Sequence, residues 1–153
     1  MKRGESFKIN LTRVIQDVEK EIEPGETRKI IEHLIPSAHQ YIKIGLSCYH
    51  RGDYDEAIKQ FQEALKLNPG KAEIHYNLGL TYQAKASWDE AVEEYRKALE
   101  LNPEDAETHN NLGIVYYNQG DYQKAIEEFK LALSINPDFE IARKNLRLLE
   151  ESK

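Results

Sequence analysis

The sequence predicts an all-α protein built from repeated helix-turn-helix units, and three observations carry that reading. Three of the five prolines, Pro69, Pro103 and Pro137, stand 34 residues apart, each after an asparagine. Gly45, Gly79 and Gly113 keep the same spacing, as do Ala57, Ala91 and Ala125, and again Ala64, Ala98 and Ala132. A fixed period of roughly 20–50 residues marks a repeat array. Within each period, apolar residues recur at helical spacing in two runs separated by a short break.

Residues 1–36 fall outside the period. They read as a helical hairpin, with Leu11, Val14, Ile15, Val18 and Ile22 on one face, a break at Pro24 and Gly25, then Ile30, Ile31, Leu34 and Ile35 before Pro36. The expected role is to cap the first repeat. The alternative is that residues 8–22 act as a ligand helix, since anchors at i, i+3, i+4 and i+7 are what helix-in-groove binding uses. Such a helix could also drive self-assembly.

The repeats then span 38–71, 72–105 and 106–139. "SAHQ" at 37–40 resembles a capping box that opens the first. In the second, Ile74, Leu78, Thr81 and Tyr82 place a helix over 72–84, and Trp88, Val92, Tyr95, Leu99 and Leu101 place another over 88–101. Gly52 and Gly120 are suited to the left-handed turn between helices, with Asp53 and Asp121 as N-caps. The second repeat lacks that glycine, and "SWDE" offers a capping box from Ser87 to Glu90 instead. Asn-Pro closes each second helix, because the residue before proline avoids the helical region. A glycine inside a helix costs about 1 kcal/mol against alanine, so Gly45, Gly79 and Gly113 need a packing reason. Close crossing against Ala57, Ala91 and Ala125 supplies one. Residues 140–153 read as a capping helix, with Leu146 at the position of Leu112 and charged Arg143 and Arg147 where no further helix must be received.

Composition narrows the function. The chain has 153 residues, 40% hydrophobic and 31% charged, with a formal net charge of −6. This suits a soluble folded domain and argues against a broad nucleic-acid footprint, which needs a basic face. One cysteine, Cys48, fits a reducing compartment. The N-terminus lacks an apolar leader core, and no stretch approaches the ~20 apolar residues of a membrane span. A cytoplasmic protein without membrane contact is expected.

The spacing of Leu112, Gly113, Tyr116, Ala125, Phe129, Ala132 and Pro137 resembles the tetratricopeptide repeat. In the second repeat Tyr95 replaces the Phe; in the first, Ile44 replaces Leu and Cys48 replaces Tyr. Tyr41, His75 and His109 hold the first-helix Trp position. The resemblance covers about two-thirds of the chain, counted over residues 38–139. It implies a right-handed α-α superhelix, a solenoid whose first helices line a concave surface.

That surface would carry a row of one residue per repeat: Lys43, Asn77, Asn111 and, in the capping helix, Asn145. A carboxamide both donates and accepts, so a row of them can hold the backbone of a passing peptide. Ile42, Tyr76, Asn110 and Lys144 precede the row. Leu46, Leu80, Ile114 and Leu148 follow three residues later, then Tyr49, Gln83 and Tyr117. Glu73 and Glu107 mark an acidic edge. The groove so read suits a protein or peptide segment with apolar anchors and a Lys or Arg. A chaperone C-terminal carboxylate is argued against: of the family's clamp positions, here Ile42, Leu46, Asn77, Glu107 and Asn111, only Asn77 matches.

Other signals are weaker. His75 and His109 could neighbour each other, but two histidines make a poor metal site. Cys48 reads as a buried structural thiol, and Glu93, Glu94, Glu127 and Glu128 as partners of Lys or Arg one turn on. No catalytic or cofactor motif appears. The expected function is a non-enzymatic interaction module without cofactor or metal, with a self-assembling scaffold as the alternative.

Overall fold

A computed structural model describes residues 36–151. Among them are seven helices and no strand: α1 Ala38–Arg51, α2 Tyr54–Leu67, α3 Ala72–Ala84, α4 Trp88–Leu101, α5 Ala106–Gln119, α6 Tyr122–Ile135 and α7 Glu140–Glu151. The N-terminal hairpin expected from residues 1–36, including the stripe at 8–22, lies outside the described residues. The helices pair as α1/α2, α3/α4 and α5/α6, each second helix packs on the next first helix, and α7 closes on α6. This is an all-α helical solenoid of repeats.

The capping box opening α1 is present: the Ser37 hydroxyl accepts from the Gln40 amide at 3.3 Å, and Gln40 Oε1 accepts from the Ser37 amide at 2.7 Å. The box expected at Ser87 is not, because Ser87 makes no side-chain cap bond. Its ψ of 77 turns it away from the extended geometry of Ser37, whose ψ is 162. A hydroxyl is too short to span that difference. Asp121, at a ψ of 70, reaches the Lys124 amide with its longer carboxylate. Asp53 occupies the same place but pairs with Arg51 at 3.0 Å instead of capping.

The turn between helices has one shape in all three repeats. Gly52 and Gly120 adopt φ of +82 and +81. Ala86 stands at the equivalent position with φ 57. The glycine-free second repeat therefore keeps the left-handed turn with an alanine, a conformation that costs an L-residue about 1–2 kcal/mol.

The periodic glycines are there for aromatic rings. A Cβ added to Gly45 would lie 2.6 Å from Phe61, to Gly79 2.6 Å from Tyr95, and to Gly113 2.7 Å from Phe129. The expected partners Ala57, Ala91 and Ala125 are fully buried, but the atoms nearest the glycines belong to the ring one helical turn further along. The core follows: Phe61 packs with Ile42, Cys48, Ile74 and Leu78. Tyr95 and Phe129 pack with Leu112, Val115, Tyr116, Ile126 and Leu149. Leu149 thus brings the capping helix into the core of the third repeat, while Arg143 and Glu140 on its outer side pair with each other.

Consecutive repeats are also tied at equivalent points. Lys85 on the α3 turn pairs with Asp55 on α2, and Gln119 on α5 donates to Asp89 on α4 at 2.8 Å. Ile44 remains 44% exposed while Leu78 and Leu112, its counterparts, are 2% exposed. Those leucines face the second helix of the preceding repeat, a partner α1 does not have among the described residues.

Candidate functional site

The asparagine row is present, one residue on each of α3, α5 and α7, but its members are not equivalent. Asn111 Nδ2 donates to the Tyr76 hydroxyl at 3.2 Å, and Asn145 Nδ2 donates to Asn110 Oδ1 at 3.0 Å. Both bonds span 35 residues: the residue before the row position in one repeat receives the amide of the next. Asn110 Nδ2 also lies 3.4 Å from Asn111 Oδ1, so the two bonds join into one chain. At its other end the Tyr76 hydroxyl donates to Glu107 Oε1 at 2.6 Å. Burial, reinforced by the Glu107 carboxylate, raises the Tyr76 phenol above its ordinary range. It therefore stays a donor to Glu107 and an acceptor for Asn111.

Asn77 breaks the pattern. The residue 35 positions before it is Ile42, which has no hydroxyl or amide to offer. The Asn77 carboxamide makes no hydrogen bond to any described residue, although the residue as a whole is only 6% exposed. No fully enclosed side-chain nitrogen or oxygen among the described residues lacks a partner, so the amide keeps an opening to solvent. Asn77 is thus the row asparagine whose amide makes no bond between repeats among the described residues.

The remaining expected groove residues fall as follows. Lys43 is exposed on α1. Leu46 and Tyr49 pack partly against the Phe61 core, with Tyr49 tilted against Tyr54 at 5.7 Å. Leu80 and Ile114 pack partly against the Tyr95 and Phe129 core. Tyr117 is 50% exposed and lies 5.6 Å from Tyr122. The acidic edge is tempered: Glu73 pairs with Lys71 at 2.7 Å, and one oxygen of Glu107 is held by Tyr76.

A cavity of about 400 Å³ opens between α5 and α7, lined by Ile114, Tyr117, Asn118, Phe129, Asn145, Leu148 and Leu149. Four of these are outside the expected site or named only as neighbours of it: Asn118, Phe129, Leu148 and Leu149. The capping helix therefore forms one wall of the site. The sequence holds a signal for this: Asn145 and Leu148 are expected along the groove, and Leu149 continues the apolar positions of the repeat on a helix expected to cap the array.

Each histidine pairs with a glutamate of its own repeat. His75 Nδ1 pairs with Glu94 and His109 Nδ1 with Glu128, each at 2.7 Å across its own repeat. Glu94 also meets Lys97 at 3.0 Å, as the helical spacing predicts. Glu127 and Glu128 depart from that expectation: Glu127 accepts from Gln123, and Glu128 is taken by His109. Cys48 is buried, as expected.

Comparison with known proteins bears on the architecture. Family models described as TPR repeat match residues 45–86 and 87–120, and one described as tetratricopeptide repeat matches 106–139. The chain belongs to the tetratricopeptide-repeat family. Its fold is similar to that of the Arabidopsis OM64 TPR domain, with a TM-score of 0.73 and 19% identity over 76% of this chain and 97% of that one. The first TPR of Spaghetti (RPAP3), solved bound to HSP90 peptide SRMEEVD, gives 0.73 and 19% over 76% and 92%. MamA gives 0.74 and 26% over 82% and 73%. No curated protein matched in sequence. Among the described residues of this tetratricopeptide-repeat chain, no helix is long and apolar enough to cross a membrane.

Proposed function

We propose that this chain is a protein-interaction module that binds an extended segment of a partner protein along its first helices. Asn77 grips the segment's backbone, and the cavity between α5 and α7 takes an apolar side chain. The observation that supports this is the free amide of Asn77. The amide is open to solvent, so its donor and acceptor are accessible to a ligand. A peptide unit offers one N–H and one C=O, the complement of a carboxamide, so a ligand can replace the water at this amide. Asn111 and Asn145 are engaged between repeats and hold the helices in register for the ligand.

Glu107 sets the charge of the segment. Tyr76 holds one carboxylate oxygen in place, and the exposed remainder attracts a Lys or Arg of the ligand. It also repels carboxylates, so an acidic tail such as the SRMEEVD peptide carried by the RPAP3 domain is not the expected ligand. With backbone contacts and one apolar pocket, recognition needs no chemistry from the protein, which supports a binding module over an enzyme.

Selection of a random peptide library displayed on phage, run against the wild type, Asn77→Ala and Leu148→Asp, tests this reading. Leu148 is 55% exposed, so its substitution leaves the fold intact, as circular dichroism would verify. Peptides combining apolar residues with Lys or Arg should be enriched by the wild type and lost by both variants. Equal enrichment by all three proteins would place binding elsewhere.

A further inference from the structure

His109 makes two bonds that a neutral imidazole cannot make together. Its Nδ1 lies 2.7 Å from Glu128 Oε2 on α6, and its Nε2 lies 3.1 Å from the Pro103 carbonyl oxygen in the turn before α5. A carbonyl oxygen and an ionised carboxylate only accept, while a neutral imidazole donates from one nitrogen alone. Both bonds are satisfied when the ring is an imidazolium.

The neighbouring repeats supply two comparisons. One period earlier, His75 bonds Glu94 through Nδ1 and has no second acceptor among the described residues. One period later, Arg143 stands where His109 stands and donates to the Pro137 carbonyl, the counterpart of Pro103. A side chain that is always cationic thus makes, in the capping helix, the bond that His109 makes in the third repeat.

We infer that His109 is a protonated latch that fastens the Asn102–Asp105 turn to α6, and that the joint between the second and third repeats loosens when the ring loses its proton. The charges around the ring favour this. Glu128 faces it from α6, Asp105 lies at the start of its own helix, and Arg96 and Glu100 on α4 line the same crevice of about 410 Å³ with Leu99 and Leu112. The Arg96 guanidinium is directed to the Tyr116 hydroxyl at 2.7 Å, so the carboxylates of Glu128 and Asp105 act on the ring against one guanidinium already engaged.

The proton affinity of His109 is raised accordingly, first by the bond to Glu128 and further by the Pro103 carbonyl and the charges of Glu128 and Asp105, with burial opposing. A raised value in the folded state fixes the sign of the effect. The latch contributes its full stability below the unfolded value of about 6.5, and that contribution is lost as pH rises through the folded value.

Long-range proton–nitrogen spectra of the labelled chain, recorded from about pH 5 to 9, read the ring directly. Both His109 nitrogens should carry protons at about pH 6.5, with a titration midpoint above that value. A ring with one proton there, or a midpoint at or below it, overturns the latch; a neutral ring beside a protonated Glu128 does so too. Urea denaturation gives the second readout. The wild-type midpoint should fall as pH rises through the titration, while His109→Arg, which copies Arg143, holds its low-pH stability throughout. The same fall in His109→Arg would contradict the inference. His109→Gln should lose the pH response. Should that variant fail to fold, the wild-type titration and His109→Arg still decide.

Discussion

Asn111 reaches back across 35 residues to the hydroxyl of Tyr76 at 3.2 Å, while the residue 35 positions before Asn77 is Ile42, which offers no polar side-chain atom. One side chain, a tyrosine or an isoleucine, thus decides whether a row asparagine is bonded within the protein or stays open. The same rule covers Asn145, whose partner is Asn110 at 3.0 Å.

Tyr76→Phe removes the hydroxyl that serves both Glu107 and Asn111. Stability should fall by about 1 kcal/mol, the net worth of a typical hydrogen bond, as read by urea denaturation. The Asn111 amide is released, so binding of a groove peptide should be retained or tightened in a calorimetric titration. Asn77→Ala should weaken the same binding.

Ala86 holds a left-handed conformation in the turn where the other repeats have Gly52 and Gly120. Ala86→Gly should therefore stabilise the chain by roughly 0.5–1 kcal/mol, the left-handed cost for alanine less the added freedom of glycine in the unfolded chain. A denaturation midpoint that drops would show that the turn gains from the alanine in another way.

Gly79→Ala adds a methyl 2.6 Å from the fully buried Tyr95 ring, which is also fixed by its hydroxyl bond to Gln83 at 2.7 Å. Overpacking of about 1–3 kcal/mol should exceed the gain of about 1 kcal/mol in helix propensity. Gly70→Ala meets nothing within 4 Å and should be close to neutral. Thermal unfolding of the two variants separates the cases.

Ser37 and Ser87 stand before equivalent kinds of helix start but differ in geometry. Ser37→Ala breaks a two-way capping box and should cost about 1 kcal/mol. Ser87→Ala removes no cap bond and should change stability by no more than a few tenths of that. Urea denaturation of both variants makes the comparison.

Much of this was legible from one chain because the repeat period converts weak local signals into aligned ones. The helix limits, the left-handed glycines and the place of Asn77, Asn111 and Asn145 all follow from residues 34 apart. What the period hides is contact between unlike positions of successive repeats. The pairing of Tyr76 with Asn111 needs the offset of 35, and the pairing of His75 with Glu94 and His109 with Glu128 needs an offset of 19. Both offsets recur in the sequence, but only helix packing tells which recurrences touch. The glycines were traced to alanines for the same reason: spacing located the crossing, and ring size determined which side chain filled it. The cap expected at Ser87 failed on backbone geometry, which residue type alone does not encode.

In the proposed function Asn77 is the amide left open to a ligand, while Asn111 and Asn145 are bonded between repeats. That role is tested most directly by following the side-chain amide signals of all three as a library-selected peptide is titrated into the labelled protein. The Asn77 carboxamide should move most, and the same peptide should fail to bind Asn77→Ala. An Asn77 signal that stays in place while residues of the second helices, such as Lys130 and Leu131, shift on peptide addition would contradict it.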